Sequence, residues 1–418
     1  MTQLTRESAP SYTPPPARPR PGARGAERLL LGLFDRHLED GGLRLIVRGE
    51  GVVVGRGASA ERVAIRIHDD RFFGRVLSAG NLGLGESYMD RDWDMEEGDI
   101  ADLLALFLRN RLDRQVKGDV RTALVVLRVQ FANLFRQPHW KHAQFHYDLG
   151  TDLFEAFLDP KTMMYSCGYA ETPDDTVEQM QFNKVDRICR KVGMKPGDHV
   201  LDIGCGFGGL LIHAAAHYGV TGVGITTSHD HRELGSRRIA EASLADRVRL
   251  ELRDHRTVEG RFDRVVSTGM FEHLPRTEYG RFFERIAGVL PPHGTGLVHT
   301  VGCYAERNGH DPFTQKYMLP GTSQPKLSEI ATACERQTLA ILDIENIVRH
   351  YDRTIQGWLA RFRANKHRLD QRKYDARFQR MWEYYLSCAM AGSRASDAAV
   401  YQVLFAKDYA APMPFHRI

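Results

Sequence analysis

From residue 199 onward, apolar runs and amphipathic stretches alternate with a regularity that admits few folds. The runs HVLDIG, GVTGVGIT, RVRLEL, FDRVVSTG and GTGLVHTVG are almost continuously apolar, as parallel strands covered on both faces must be. Between them lie GGLLIHAAAHY, the stretch 228–244 and YGRFFERIAGVL, whose apolar residues recur at helical spacing. Strand and helix in strict succession predict an α/β fold with a doubly wound, mostly parallel sheet. A helix is expected from Asp175 to about Val192. Residues 303–337 break the alternation and read as an insertion. TLAILDIENIV then resumes as a strand, two helices follow, and VYQVLFAKD closes as a last strand.

Upstream the pattern changes. Residues 1–26 are rich in Pro, Arg and Gly and cannot bury a core, so they are expected to be a disordered tail. In residues 27–130, runs such as LRLIVR and RVAIRI alternate with glycine turns and then give way to helical ADLLALFLRN and VRTALVVLRVQFANLF. This predicts a smaller N-terminal α+β domain, with residues 131–418 forming the second domain. Arg114, Lys117, Arg121 and Arg128 share one helical face beside apolar neighbours. That face suits an anionic membrane surface, where each charge adds about 1 kcal/mol; the alternative is an ordinary solvated face.

A net charge of +4 gives no reason to expect a nucleic-acid partner. The six cysteines are scattered without paired spacing, which fits a reducing cytoplasm. No apolar run of membrane-spanning length and no signal segment is visible, so any membrane role is expected to be peripheral. His229 and His231 lack partners at ligand spacing, so no metal is expected and they read as a solvated helix start.

The strand-turn-helix VLDIGCGFGG carries Gly204, Gly206 and Gly209 in G-x-G-x-x-G order. A nicotinamide dinucleotide site wants an acid about 20 residues further on to hold the ribose, but that region reads GVGITTS. The nearby acid is instead Asp202, two residues before Gly204. D-x-G-x-G is the order of the nucleotide loop of class I methyltransferases, where bare backbone approaches an adenosyl ligand at a helix N-terminus.

The order of motifs carries a wider resemblance: GESYMDRDWD, HYDLG at 146–150, MMYSCGY at 163–169, VLDIGCGFGG, GITTS, STGMFEH at 267–273, LVHTVG at 297–302, HYDRT at 350–354 and YYLSCA at 384–389. In this the chain resembles the cyclopropane-fatty-acyl-phospholipid synthases and the related mycolic acid cyclopropane synthases. The resemblance implies a class I methyltransferase-type sheet that uses S-adenosylmethionine to add a methylene across a cis double bond of an unsaturated phospholipid acyl chain. It implies cofactor contacts from Tyr165, Ser166, Asp202, Gly204, Gly206, Gly208, Thr226 and Asp254. It also implies a bicarbonate held by Cys167, Glu272, His299 and Tyr351, with a backbone contact near Val301. The setting it implies is the cytoplasmic face of the inner membrane, and it leaves room for a homodimer. The chain departs from the family at Phe207, Thr227 and His231, where Trp, Leu and a ribose-holding Gln are usual. Substitutions in MLPGTSQPKLS and at Ser393 fall where an acyl pocket would be lined, so they bear on substrate identity more than on reaction type.

The chemistry needs such groups. Methyl transfer to an alkene leaves a cation on the chain, and ring closure then requires a base, worth ~10²–10⁴ in rate, and exclusion of water. Phe145, Tyr147, Tyr165, Phe271 and Tyr351 are candidates to face the cation. Loss of a different proton would give a methyl-branched or methylene product, and a lipid-binding protein without activity is the alternative from another class. Plainer roles exist for each residue: a structural ion pair for Glu272 and His273, a core histidine for His299, a small buried hydrophobe for Cys167. Cys388 is expected to be structural.

Overall fold

The structure, a computed structural model, describes residues 25–56, 63–112, 149–305, 311–319, 322 and 324–408. The chain divides into two compact units, Met1–Arg136 and Gln137–Ile418. The domain boundary expected at 130/131 lies outside the described residues, as do the basic face from Arg114 to Arg128 and most of the tail.

The first unit opens with a helix, Gly25–His37, two residues inside the segment expected to be tail. Leu30, Leu31, Leu33 and Phe34 give this helix a buried face. A four-stranded sheet follows: β1 (Leu43–Val47), β2 (Glu50–Val54), β3 (Val63–Ile67) and β4 (Trp93–Glu97), in the order β2-β1-β3-β4. Arg48 and Gly49 both take positive φ (51° and 84°), the backbone that joins two antiparallel strands in a two-residue turn. Helices Arg71–Met89 and Ile100–Arg109 complete the described part, the latter started by an Asp99–Asp102 capping box.

The second unit is built on seven strands: β5 (His199–Ile203), β6 (Thr221–Thr226), β7 (Val248–Leu252), β8 (Arg264–Thr268), β9 (Thr295–Cys303), β10 (Ala340–Asn346) and β11 (Ala398–Ala406). Their order is β10-β11-β9-β8-β5-β6-β7. Only β11 runs against the others, pairing antiparallel with both β9 and β10. The chain winds outward from β5 to β6 and β7, then returns to β8 on the other side of β5. The winding therefore reverses between β5 and β8, and ligands bind at the carboxyl ends of the strands at such a switch point.

Alternation along each strand sorts residues to two faces. Val200, Val266, Leu297 and Leu404 pack on one face with Val185 and Ile188 of helix Val177–Lys191. Leu201, Val265, Val298 and Val403 pack on the other with Phe282, Phe283 and Ile286 of helix Tyr279–Val289. Helix Leu327–Glu335 joins this second cluster through Ile330, Ala333 and Cys334. The last third of the segment expected as an insertion is therefore the crossover from β9 to β10, because its apolar stripe is needed to cover the sheet.

Candidate functional site

At the end of β5 the chain turns through Gly204, Gly206 and Gly208, all at positive φ (78°, 52° and 77°), before entering helix Gly209–Tyr218. L-residues with a Cβ avoid this region. Their roles differ. A Cβ on Gly204 would lie 2.6 Å from Met270 Cβ, so this glycine admits the chain after β8. A Cβ on Gly206 would meet nothing within 4 Å, so its backbone faces open space. Asp202 lies just before this loop, 2% exposed, with Oδ1 unpartnered. Burial raises its carboxyl to about 7, against an opposing pull from the Lys184 ammonium. Thr268, at the end of β8, also has a buried hydroxyl without a partner. Unpartnered buried polar atoms are rare in folded proteins and call for an explanation, such as a ligand.

Thr226 ends β6, and its hydroxyl accepts from Ser228 N–H at 3.1 Å. Asp254 follows β7 and turns both oxygens to Arg256, whose Nη2 donates at 2.7 Å and Nε at 2.9 Å. Those bonds hold its carboxyl down at about 2. Both of its carboxylate oxygens are therefore already engaged.

The segment Tyr165 to Cys167 crosses the carboxyl end of β8. A Cβ on Gly269 would lie 3.4 Å from Ser166 Cβ, 3.6 Å from the Tyr165 carbonyl and 3.8 Å from Glu272 Oε1. Tyr165 meets Tyr385 hydroxyl to hydroxyl at 3.1 Å, and its ring packs on Trp358 with centroids 5.1 Å apart. The Ser166 carbonyl accepts from Gln181 Nε2 at 2.8 Å, and its hydroxyl accepts from Lys184 Nζ at 2.9 Å. Cys167 directs its thiol to the Gly168 carbonyl at 3.2 Å, and burial pushes that thiol to about 12, so it stays neutral.

Glu272 is 8% exposed and lies in a short 3-10 turn after β8. Thr300 Oγ1 donates to its Oε2 at 2.8 Å and Val301 N–H to its Oε1 at 3.4 Å. Burial pushes its carboxyl upward. Tyr351 packs with Cys167, Ile347, Val400 and Val301, and burial keeps its phenol protonated. His299 lies on the same strand face as Val301, two residues away. Its Nδ1 is 3.3 Å from Gln402 Nε2, and its Nε2 has no partner. Burial pushes this imidazole well below its ordinary value, so it is neutral. Glu272, Cys167, Tyr351 and His299 therefore gather around Val301 at one end of the sheet.

Two expectations change. Phe271 is fully buried in the opposite core against Tyr279 and Phe282, so it cannot face a cation on this side. The helix start expected at His229 and His231 is present, as helix His229–Glu241, but the His231 ring is partly covered: it packs against Phe207 at 4.5 Å and Phe154 at 5.9 Å, because an apolar surface lies beside the glycine loop. His229 is exposed. Phe145 and Tyr147 lie outside the described residues. Lys184, Gln181, Thr300 and Gln402 were not legible as site residues. The available signal was in helix Val177–Lys191, where Gln181 and Lys184 fall on the stripe of Val177, Met180, Val185 and Ile188. Among the described residues, no group of three or more His, Cys, Asp or Glu side chains could hold a metal ion.

In sequence and in fold the chain is similar to known proteins. The family model described as mycolic acid cyclopropane synthetase matches residues 135–403. The chain is 36% identical over 358 residues to the cyclopropane-fatty-acyl-phospholipid synthase of Escherichia coli (strain K12), covering 85% of this chain and 90% of that one. It is 32% identical over 373 residues to tuberculostearic acid methyltransferase UfaA1 of Mycobacterium tuberculosis, covering 85% and 86%. Among solved structures it is similar to the cyclopropane synthase MmaA2 from Mycobacterium tuberculosis, with TM-score 0.59 and 28% identity over 64% of this chain and 98% of that one. It is likewise similar to mycolic acid cyclopropane synthase CmaA1 complexed with SAH and CTAB, with TM-score 0.58 and 29% identity over 65% and 99%.

Proposed function

The chain belongs to the mycolic acid cyclopropane synthetase family, and from that premise we propose that it is an S-adenosylmethionine-dependent methyltransferase that converts the cis double bond of an unsaturated phospholipid acyl chain to a cyclopropane. The observation that carries this reading is the neighbourhood of Gly269, where Tyr165 and Ser166 from the expected cofactor segment come within 4 Å of the same point as Glu272. A methyl donor and a base are needed side by side, and few other chemistries require that pairing next to a bare glycine loop.

The residues fit the cofactor. Gly206 leaves room for close backbone approach, and Asp202 Oδ1 and Thr268 Oγ1 are buried atoms that await a polar partner. Tyr165, Ser166, Asp202, Gly204, Gly206, Gly208 and Thr226 would hold it, with Asp254 available only if Arg256 releases it. Bound S-adenosylmethionine supplies an electrophilic methyl, whose transfer to the alkene leaves a cation that closes to the ring when the new methyl loses a proton. Glu272, the carboxylate beside Tyr165 and Ser166 at Gly269, would take that proton, and its raised pKa suits a base. Cys167, His299 and Tyr351 are neutral donors around it, a set that would hold bicarbonate; bound bicarbonate would supply a base of its own. Tyr165 and Tyr351 present aromatic faces to a cation, and the apolar packing around Cys167 excludes water from it.

Among the described residues no helix is long and apolar enough to cross a membrane. Access to lipid is therefore proposed through peripheral association at the cytoplasmic face of the inner membrane, with anionic headgroups facing Arg114, Lys117, Arg121 and Arg128, and with the protein as monomer or homodimer. A second reading has its own support in the 32% identical relative named as a tuberculostearic acid methyltransferase: a methyl-branched or methylene product. The test is incubation of the protein with S-adenosylmethionine and vesicles of cis-unsaturated phospholipid, followed by mass spectrometry and proton NMR of the recovered lipid. We expect one added methylene unit per converted double bond, with upfield ring-methylene signals. Vinylic methylene or branched-methyl signals would establish the second reading. Unaltered lipid recovered bound to the protein would mean a binding protein and overturn both.

A further inference from the structure

Lys184 is fully buried in the middle of helix Val177–Lys191, on the stripe that covers the sheet. An ammonium in such a place is costly unless an anion or a set of acceptors compensates it. The anions nearest in electrostatic reach are Asp159 and Asp202. Asp159 is engaged elsewhere, accepting from Thr162 N–H at 2.7 Å and Thr162 Oγ1 at 2.6 Å. Asp202 is itself so buried that its carboxyl is raised to about 7. The hydrogen bond given to Lys184 is the one to Ser166 Oγ, at 2.9 Å. The charge is therefore only partly compensated without a ligand, and burial lowers the Lys184 pKa to about 7.

A bound carboxylate would hold Lys184 in its charged form, and in that form the polarity of the hydrogen bond is fixed. An ammonium has three donors and no acceptor, so Ser166 Oγ must accept. The Ser166 hydroxyl hydrogen is then free to point away from Lys184, while the Ser166 carbonyl is separately tied to Gln181. What Ser166 offers a ligand is a donor backed by a buried positive charge. Within electrostatic reach of Lys184, Asp202 Oδ1 offers a buried acceptor. The two together match the zwitterionic end of an amino acid.

We propose that Lys184 is a positioning residue for the carboxylate of the cofactor's amino-acid end: its bond to Ser166 turns the Ser166 hydroxyl into an obligate donor toward that carboxylate. This rests on the S-adenosylmethionine reading above. Lys184 does not touch the ligand in this account and acts through Ser166, while Asp202 faces the ligand's amino group. The carboxylate completes the compensation of the buried ammonium, so binding and charge balance are achieved together.

The experiment compares two probes that differ only in this group: S-adenosylmethionine and its decarboxylated form, which keeps the adenosine, the sulfonium and the amine. Each is titrated calorimetrically into the full chain. Wild type should bind both. Lys184→Met, which keeps length and removes the charge, should bind S-adenosylmethionine ~10–100-fold more weakly, while its affinity for the decarboxylated probe changes less than about twofold. Equal weakening of both probes would show that Lys184 only supports the fold, and no change in either would show that it supports nothing here; both overturn the proposal. Failure of wild type to bind either probe would instead overturn the cofactor reading itself. If Lys184→Met does not fold, Ser166→Ala decides the matter, because it keeps the buried lysine and removes only the hydroxyl. The same selective loss is then expected, and parity between the probes overturns the proposal.

Discussion

The two ends of the seven-stranded sheet treat buried charge in opposite ways. At the amino ends, Arg264 and Asp198 are 6% and 5% exposed and fully engaged. Arg264 Nε lies 3.1 Å from Asp198 Oδ2. The guanidinium also donates to the Gly193 carbonyl at 3.1 Å and the Asp263 carbonyl at 3.1 Å, and Asp198 accepts from Lys195 N–H at 3.1 Å. At the carboxyl ends, Asp202 Oδ1, Thr268 Oγ1, His299 Nε2 and Gln402 Oε1 are buried without partners. The strands and the burial are the same, so the difference cannot come from the fold's need for packing. One end is finished by the chain itself, and the other leaves buried polar atoms for the proposed ligand to complete.

Removing one partner of a finished buried pair should give the largest effect. Asp198→Ala leaves Arg264 without its counter-charge and should cost about 3–5 kcal/mol of stability, read from urea unfolding. The affinity of the remaining folded protein for S-adenosylmethionine should stay at the wild-type value, because the site is at the other end of the strands. A variant that unfolds normally but loses the ligand would break the contrast.

Glu272→Gln should do the reverse. It keeps the shape and the acceptor for Thr300 Oγ1 but removes the carboxylate, so turnover should fall ~10²-fold or more. Melting temperature and cofactor affinity should hardly move, since no desolvated charge has to be balanced in the variant. Steady-state kinetics with a parallel thermal melt checks this. Normal turnover would mean that the ring-closing proton leaves by a route that does not need Glu272.

Much of this contrast could be read from sequence. Apolar runs such as HVLDIG and FDRVVSTG fix the strands because a strand covered on both faces has no alternative composition. Asp202 and the three glycines stand out because their spacing departs from the apolar pattern of the strands and matches a nucleotide loop. Lys184 was not legible for a reason of the same kind: a lysine in a helix is ordinarily a solvated residue, and only its coincidence with the buried stripe of Met180, Val185 and Ile188 says otherwise. Thr300 and Gln402 were hidden because their partners, Glu272 and His299, are distant in sequence or on a neighbouring strand. Phe271 was misassigned because the direction of a side chain in the turn after a strand is not set by strand alternation. The cover over the His231 ring was missed because a polar helix start says nothing about the apolar surface of Phe207 and Phe154 beside it.

The sharpest test of the incomplete end needs no ligand. Burial raises the Asp202 carboxyl from 3.8 to about 7 and lowers the Lys184 ammonium from 10.5 to about 7. Between pH 4 and 7 the native protein holds a proton on Asp202 that the unfolded chain has released, so this group's contribution is complete below pH 4 and lost as pH rises through about 7. Lys184 works in the other direction. Between pH 7 and 10.5 the unfolded chain holds a proton that the native protein lacks, so its contribution is complete above 10.5 and lost as pH falls through about 7. The two arms meet in a minimum of stability near neutral pH, superimposed on the titration of all other groups. Differences between variant and wild-type melting temperatures across pH 4–10 isolate it. Asp202→Asn should flatten the acid arm. Lys184→Met should remove the alkaline arm and, by taking away the charge that favours the Asp202 carboxylate, carry the acid arm to higher pH. Saturating S-adenosylmethionine should flatten both arms in wild type, because a bound carboxylate and amine hold Lys184 and Asp202 in their charged forms. Arms that persist unchanged in both variants would mean that the buried lysine and aspartate are as well compensated as Arg264 and Asp198, and the contrast between the two ends would fall.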